Sequence, residues 1–470
     1  MAIEDRTITY SQNAIRKSHG VPLDLVSSIS HHKTPQTGHE TVVLTNHIQR
    51  LPVEILHRIL ELVIHHTGDV RKSHSGSRYH SVVLVCRDWV DIASNIWWKT
   101  RRFLWHSAEN PLASLARLPL ERQQWYADKI QHLDLEESNA TDFIAALDLG
   151  FPFLRNLEVS RYCHEPNDSP GFVCLASQFL GRSLLELKLL RHYRTDDILT
   201  ALLNAPNLRT LDLHCESLDA TSEKLLDAIR TCSQLRVLVL NFPIEPLVTK
   251  DVFAQIASLP YLTSLCLPRD ELTSETSMYV LAANNSPFCS IAHLDLGKFH
   301  STAINLLTGI HTLRSLSLGV IGSAPTLQVL ATLCNLQELT LRFHDSTSIG
   351  YSEWKHLANL EHLRSIKIAS WDYYRFSQVD LSSITTDELV SVFRAMPQLS
   401  SFWSNAAISN TAQFYIQAGE VCKSLNKLEL RGQFDSTMLL DSHIGDDPLY
   451  PMLEYLWVHQ FIEPQDEHTW

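Results

Sequence analysis

The chain has 470 residues, 44% of them hydrophobic and 19% charged, which allows a sizeable core and about two to four ordinary domains. A net charge of −13, with no basic run longer than two residues, argues against nucleic acid and anionic membrane as primary partners. No stretch reaches 18 apolar residues, and the start Met1-Ala2-Ile3-Glu4-Asp5-Arg6 carries no apolar signal core, so the expected location is intracellular, cytoplasmic or nuclear.

Residues 1–46 are polar, have no sustained apolar period and are expected to be mostly disordered. Next comes Leu51-Pro52-Val53-Glu54-Ile55-Leu56-His57-Arg58-Ile59-Leu60-Glu61-Leu62-Val63. Proline suits a first helical turn, and Ile55, Leu56, Ile59, Leu60 and Val63 share one helical face. The stretch from His65 to His80 is polar and carries Gly68, Ser73, Ser75, Gly76 and Ser77, which reads as a loop. Its four histidines have no cysteine beside them, and no metal site is expected there. Val82, Val85, Cys86, Trp89, Ile92 and Ala93 then form a second helical face, and Trp97 and Trp98 close the region. On these residues alone, 47–104 is a small all-α domain that could simply cap the open end of a longer structure.

The order of residues also resembles an F-box. Leu51-Pro52-x-Glu54-Ile55-Leu56-x-x-Ile59, then Leu84-Val85-Cys86-Arg87-x-Trp89-x-x-Ile92-Ala93, then Trp98, match that family's pattern over about 50 residues, Asn46 to Trp98. The span from Leu51 to Cys86 is about ten residues longer than in a typical F-box, with the excess in the polar 65–80 stretch. The resemblance implies docking on the Skp adaptor of a cullin–RING ubiquitin ligase. Residues matching its adaptor-facing positions are Leu51, Pro52, Ile55, Leu56, Ile59, Val85, Cys86 and Trp89. Which of them face the adaptor and which the domain's own interior is left open, and Trp98 is assigned to the core. A three-helix unit this small cannot bury all these side chains internally, so an exposed apolar patch is expected.

Residues 105–129 hold Trp105, Leu112, Leu115, Leu118, Trp125 and Tyr126, spaced for one or two helices, and are expected to merge into the first repeat instead of forming a flexible tether. From Ile130 to Val458 the triplet L-x-x-L-x-L recurs thirteen times. It begins at Ile130, Leu154, Leu184, Leu208, Leu235, Leu262, Ile291, Leu313, Leu336, Leu363, Leu399, Leu425 and Leu453, and of its apolar positions only Ser404 breaks the rule. This core at a period near 27 residues marks a leucine-rich-repeat solenoid over 130–462, with a short 463–470 tail. The fold class is therefore α/β, with short parallel strands inside and helices outside. Positions 4 and 6 of the triplet differ by two, the strand period, and point inward with position 1.

Between triplets the period becomes helical. Asp196-Asp197, Ser222, Ser274, Ser301, Ser352, Thr386 and Thr411 open such stretches and are expected to be N-caps. Pro152, Pro206, Pro260, Pro397 and Pro451, each two residues ahead of a triplet, end them. Nine cysteines form no C-x-x-C pair. Four of them (Cys232, Cys289, Cys334 and Cys422) lie two or three residues before a triplet and are expected to be buried.

A solenoid offers a long concave surface, and no phosphate loop, dinucleotide fingerprint, zinc-protease or nucleophile-elbow motif is present, so a binding protein without cofactor or metal is expected in preference to an enzyme. F-box and repeats together resemble the F-box/leucine-rich-repeat substrate receptors of Skp–cullin–F-box ligases, and the irregular repeats resemble those of their fungal branch. That implies a chain that binds the adaptor at one end and a protein substrate on the repeats. The alternative is a non-ligase leucine-rich-repeat interaction scaffold. Exposed aromatics mark hot spots. The outward positions Trp403, Tyr455 and Trp457, with Trp371, Tyr373 and Tyr374 in the longest inter-triplet step, are the candidate substrate residues.

Overall fold

A computed structural model describes residues 51–65, 87–102, 111–138, 148–162, 179–190, 195–214, 221–241, 247–284, 286–321, 326–343, 346–370, 379–406, 408, 411–435 and 450–462. The chain divides into two compact units, Met1–Leu56 and His57–Trp470. The boundary falls inside the first helix, α1 (Val53–His65).

The second unit is built on one parallel sheet. Its strands are β1 (Thr100–Arg102), β2 (His132–Ser138), β3 (Asn156–Tyr162), β4 (Glu186–Leu190), β5 (Thr210–His214), β6 (Val237–Asn241), β7 (Ser264–Leu272), β8 (His293–His300), β9 (Ser315–Ile321), β10 (Glu338–Phe343), β12 (Ser365–Ser370), β14 (Ser401–Ser404), β15 (Lys427–Asp435) and β16 (Tyr455–Ile462). Each pairs with its neighbours in chain order, fourteen strands in one ladder. Two further short strands, β11 (Thr347–Ser348) and β13 (Val379–Asp380), pair with each other alone. This is the α/β leucine-rich-repeat solenoid.

Every triplet produces one strand, and each strand begins at the third triplet residue. Third positions pair with third positions all along the ladder, as in Thr210 with Val237 and Val237 with Ser264. Two backbone features set that register. The N–H of the first triplet residue donates to the carbonyl three residues earlier, as Leu235 does to Cys232 at 3.1 Å and Leu399 to Met396 at 3.0 Å. The carbonyl at the second position then accepts twice from the next copy. Leu185 O takes Arg209 N at 2.7 Å and Thr210 N at 3.0 Å, and Arg209 O takes Arg236 N and Val237 N likewise.

In the first twelve copies all three triplet positions are buried, Ser404 included. Ser404 is tolerated because its Oγ accepts from Ala406 N at 3.1 Å, and the neighbouring buried Asn405 accepts at Oδ1 from Ser370 N at 2.9 Å. A buried polar group that is hydrogen-bonded costs little of the stability gained by the leucines around it. The core is one continuous cluster running from Trp98 to Leu430.

Helices cover the other side of the turns: α2 (Arg87–Lys99), α3 (Pro111–Ala116), α4 (Leu120–Ala127), α5 (Thr195–Leu202), α6 (Ser222–Thr231), α7 (Lys250–Ala257), α8 (Ser274–Ala283), α9 (Thr326–Leu330), α10 (Tyr351–Trp354), α11 (Thr386–Arg394) and α12 (Thr411–Val421). Ser301–Leu307 and Lys355–Asn359 are tighter 3-10 turns. The caps differ from expectation by one residue. Thr221, Thr273 and Thr385, not Ser222, Ser274 and Thr386, accept the third helical N–H, and Thr249 caps α7 in the same way. Two hydroxyl residues stand side by side in the misplaced pairs, and the extended one ahead of the helix takes the role. Ser301 and Ser352 cap nothing, since His300 and Gly350 precede those helices without a side-chain bond.

The cysteines also split. Cys232 and Cys422, three residues before a triplet, are buried, whereas Cys289 and Cys334, two before, are exposed. The residue three back provides the turn carbonyl and faces the core; the next one rides over the outside of that turn. Cys232 Sγ donates to Ala205 O at 3.6 Å, and burial pushes its thiol up to about 12.

The sheet starts earlier than the triplets. β1 lies inside the 47–104 stretch and pairs with β2, Thr100 opposite His132. The chain runs from α2 directly into β1, and Trp98 enters the solenoid core with its ring 4.7 Å from that of Tyr126. In α3 and α4 the residues Leu112, Leu115 and Ala127 are buried. The Gln124 side chain bonds both ways to Gly150: Nε2 donates to Gly150 O at 2.9 Å, and Oε1 accepts from Gly150 N at 3.0 Å, tying α4 to the start of the second repeat.

Candidate functional site

Two surfaces hold the residues singled out from the sequence. The first is α1. Its buried stripe is Leu56 and Leu60, four apart. A second stripe is bare: Ile55 is 50% exposed, Ile59 41%, Leu62 43% and Val63 44%. Spacing of i, i+4, i+7 puts Ile55, Ile59 and Leu62 on one line of the helix. Pro52 is exposed and Leu51 half-buried; Pro52 O starts the helix by accepting from Ile55 N and Leu56 N, both at 3.0 Å. Among the eight candidate adaptor residues, Pro52, Ile55 and Ile59 are therefore exposed and Leu56 buried. Trp89, on α2, is half-buried; Val85 and Cys86 lie outside the described residues.

The second surface is the concave face of the sheet. Strand alternation turns triplet positions 3 and 5 outward; on β4, β5 and β6 these are half-buried where the inward positions are buried. At the N-terminal end, β2, β3 and β4 enclose a hollow of about 340 Å³ lined by His132, Asp134, Asn156, Glu158, Glu186 and Lys188. Lys188 Nζ lies 3.4 Å from Glu158 Oε2, which leaves the carboxylates of the hollow in excess.

On β5, Asp212 Oδ1 lies 2.9 Å from His214 Nε2, and His214 Nδ1 lies 3.1 Å from Asn241 Nδ2 on β6. Burial pushes the Asp212 carboxyl above its ordinary value, and His214 beside it opposes that shift. Asp212 and His214 are two apart on one strand and share its outward side, and the ladder brings Asn241 of the next copy beside them. Nothing in the sequence marks them beyond their being polar and outward. Val237 and Val239 come next on β6 and give that strand an apolar outward side.

Further along, Cys266 Sγ sits 3.8 Å from Asp295 Oδ2; burial, with Asp295 adding, pushes its thiol up to about 12. Arg342 reaches Asp295 Oδ1 at 3.8 Å. The C-terminal strands then change character. Lys367 Nζ lies 4.4 Å over the Trp403 ring and Lys427 Nζ 5.1 Å over Tyr455. Burial, and then Arg342, push the Lys367 ammonium below its ordinary value. The face thus runs from a carboxylate-rich end, through a mixed middle in which only β6 is apolar, to a cation–aromatic end.

Among the candidate substrate residues, Trp403 is half-buried on β14 and Tyr455 is exposed on β16, with β15 between them. The register pairs Trp457 with Glu429. Trp371, Tyr373 and Tyr374 lie outside the described residues. Among the described residues no group of three or more His, Cys, Asp or Glu could hold a metal, and no helix is long and apolar enough to cross a membrane.

No family model and no curated protein sequence matches the chain. Solved structures with some likeness include an internalin (inlF) from Listeria monocytogenes, 17% identical, covering 74% of this chain and 92% of that one, TM-score 0.39. Internalin C2 from the same organism is 17% identical over 45% and 84%, TM-score 0.26. The TLR13–ssRNA13 complex is 14% identical over 76% and 55%, TM-score 0.36. Superpositions this loose carry no functional argument.

Proposed function

We propose that this chain is the substrate-recognition subunit of a Skp–cullin–F-box ubiquitin ligase. It binds the Skp adaptor through the segment that includes α1 and a protein substrate through the concave face, and does no chemistry itself. The observation that carries the reading is the bare stripe Ile55, Ile59 and Leu62 on a helix whose sequence matches the F-box pattern. Exposed aliphatic side chains on one line of a helix are what a partner's groove takes up. The concave face supports the second half: it is long, mixed in polarity and carries aromatics next to cations, as interfaces do.

The experiment is capture of the Skp adaptor by the full chain. Ile55→Lys with Ile59→Lys is expected to abolish capture while leaving the circular dichroism and the unfolding midpoint unchanged, because both side chains lie on the exposed side of the helix. Leu51→Ala with Pro52→Ala is expected to abolish it as well. Undiminished capture by either double variant would refute the assignment and leave a repeat scaffold of another kind.

A further inference from the structure

The last strand of the ladder is unlike the twelve repeat strands before it. Leu456 holds the fourth triplet position, where no earlier copy is more than 2% exposed; Leu456 is 46% exposed. Met452 and Tyr455 beside it are exposed too. Among the described strands β16 has β15 on one side and none on the other. Third positions turn their peptide groups back to the preceding strand, as Tyr455 N does to Asn426 O at 3.0 Å. Alternation then turns the peptide groups of Leu456, Val458 and Gln460 toward the open side.

The composition of this edge is unusual for an open one. Tyr455-Leu456-Trp457-Val458-His459-Gln460-Phe461-Ile462 contains no Lys, Arg, Asp, Glu, Pro or Gly. Proteins normally guard an open edge with lysine, proline or a bulge, because an unguarded neutral run of β-formers recruits another strand.

We propose that β16 pairs antiparallel with β16 of a second copy of this chain, joining two solenoids through one continuous sheet about a two-fold axis. Identical edges satisfy each other by symmetry, and the contact closes after two copies. A two-fold through residue 458 sets 456 opposite 460 of the partner copy and places no like charges face to face within residues 455–461. Head-to-tail stacking is the poorer solution. The opposite edge, β1, offers only Thr100–Arg102, ends in two arginines and would propagate without closing. Pairing between copies meets the open peptide groups of the eight-residue strand and gives Leu456 a neighbour on its bare side.

Analytical ultracentrifugation of the full chain over a concentration series tests this. The expected mass rises with concentration to twice 53.5 kDa. Leu456→Lys, which keeps the backbone, and Val458→Pro, which removes an edge-facing N–H, are each expected to hold the chain at 53.5 kDa with unchanged circular dichroism. A wild-type chain that stays monomeric throughout overturns the proposal, whether another segment of the chain or a foreign strand covers the edge. A dimer that survives Leu456→Lys overturns it too, because the contact then lies elsewhere. Adaptor capture plays no part in this readout, so it stands or falls apart from the ligase reading.

Discussion

The leucines of the repeats and the aliphatic residues of α1 are chemically alike, yet they end in opposite environments. Leu211, Leu238 and Leu339 are sealed because a copy stacks on each side of their strand; Ile55, Ile59 and Leu62 are exposed on a helix that buries Leu56 and Leu60 instead. Apolar periodicity therefore says that a face seeks a neighbour. It does not say whether the neighbour belongs to the same chain. In the solenoid the neighbour is the next repeat, and the gain is distributed over many similar units. On α1 the second stripe stays exposed.

Substitutions in the two regions should separate accordingly. Leu238→Ala, in the middle of the ladder and fully buried, is expected to cost about 2–5 kcal/mol in urea unfolding, whereas Ile59→Ala should change it by less than about 0.5 kcal/mol. Equal costs would break the contrast. Next in size is Asn405→Ala, which strips the buried Ser370 N–H of its acceptor and should cost about 1–3 kcal/mol. Thr385→Ala removes the capping box that Thr385 forms with Glu388 and should cost about 1 kcal/mol, read in the same unfolding assay.

The smallest effect runs the other way. Lys367 is a half-buried cation whose ammonium is held below its ordinary value, so its charged form is disfavoured in the folded state. Below the lysine range it is charged in both states and carries that penalty in full. Lys367→Met should therefore be slightly more stable than wild type at neutral pH, and the advantage should shrink as pH rises toward 10.5. A gain that grew with pH would contradict the assignment of burial as the cause.

Much of the solenoid is legible in the order of residues. All thirteen triplets form strands, in register, because inward leucines three and two residues apart leave the backbone one way to stack. β1 escapes an apolar search because its copy of the motif has Trp98 at the first position but Arg101 at the fourth, so it fails the pattern while keeping the backbone pairing. The caps shift by one residue because Thr-Ser and Thr-Thr pairs offer two hydroxyls, and backbone geometry alone selects the first. The difference between Cys232 and Cys289 is likewise a matter of one residue of turn geometry. On the concave face, Trp403 and Tyr455 are recognisable as outward residues, but the lysines lying over their rings are not, since each comes from the adjacent strand.

A periodic apolar pattern has few ways to escape water, so the primary structure alone fixes the repeat, its length, its register and nearly all of its buried positions. Three-dimensional packing selects which apolar residues are left over: the Ile55–Ile59–Leu62 stripe and the open side of Leu456. It also selects which outward side chains meet, as in Asp212, His214 and Asn241. Burial depends on having a neighbour, and strand-to-strand contact depends on register, and neither is a property of any residue in isolation.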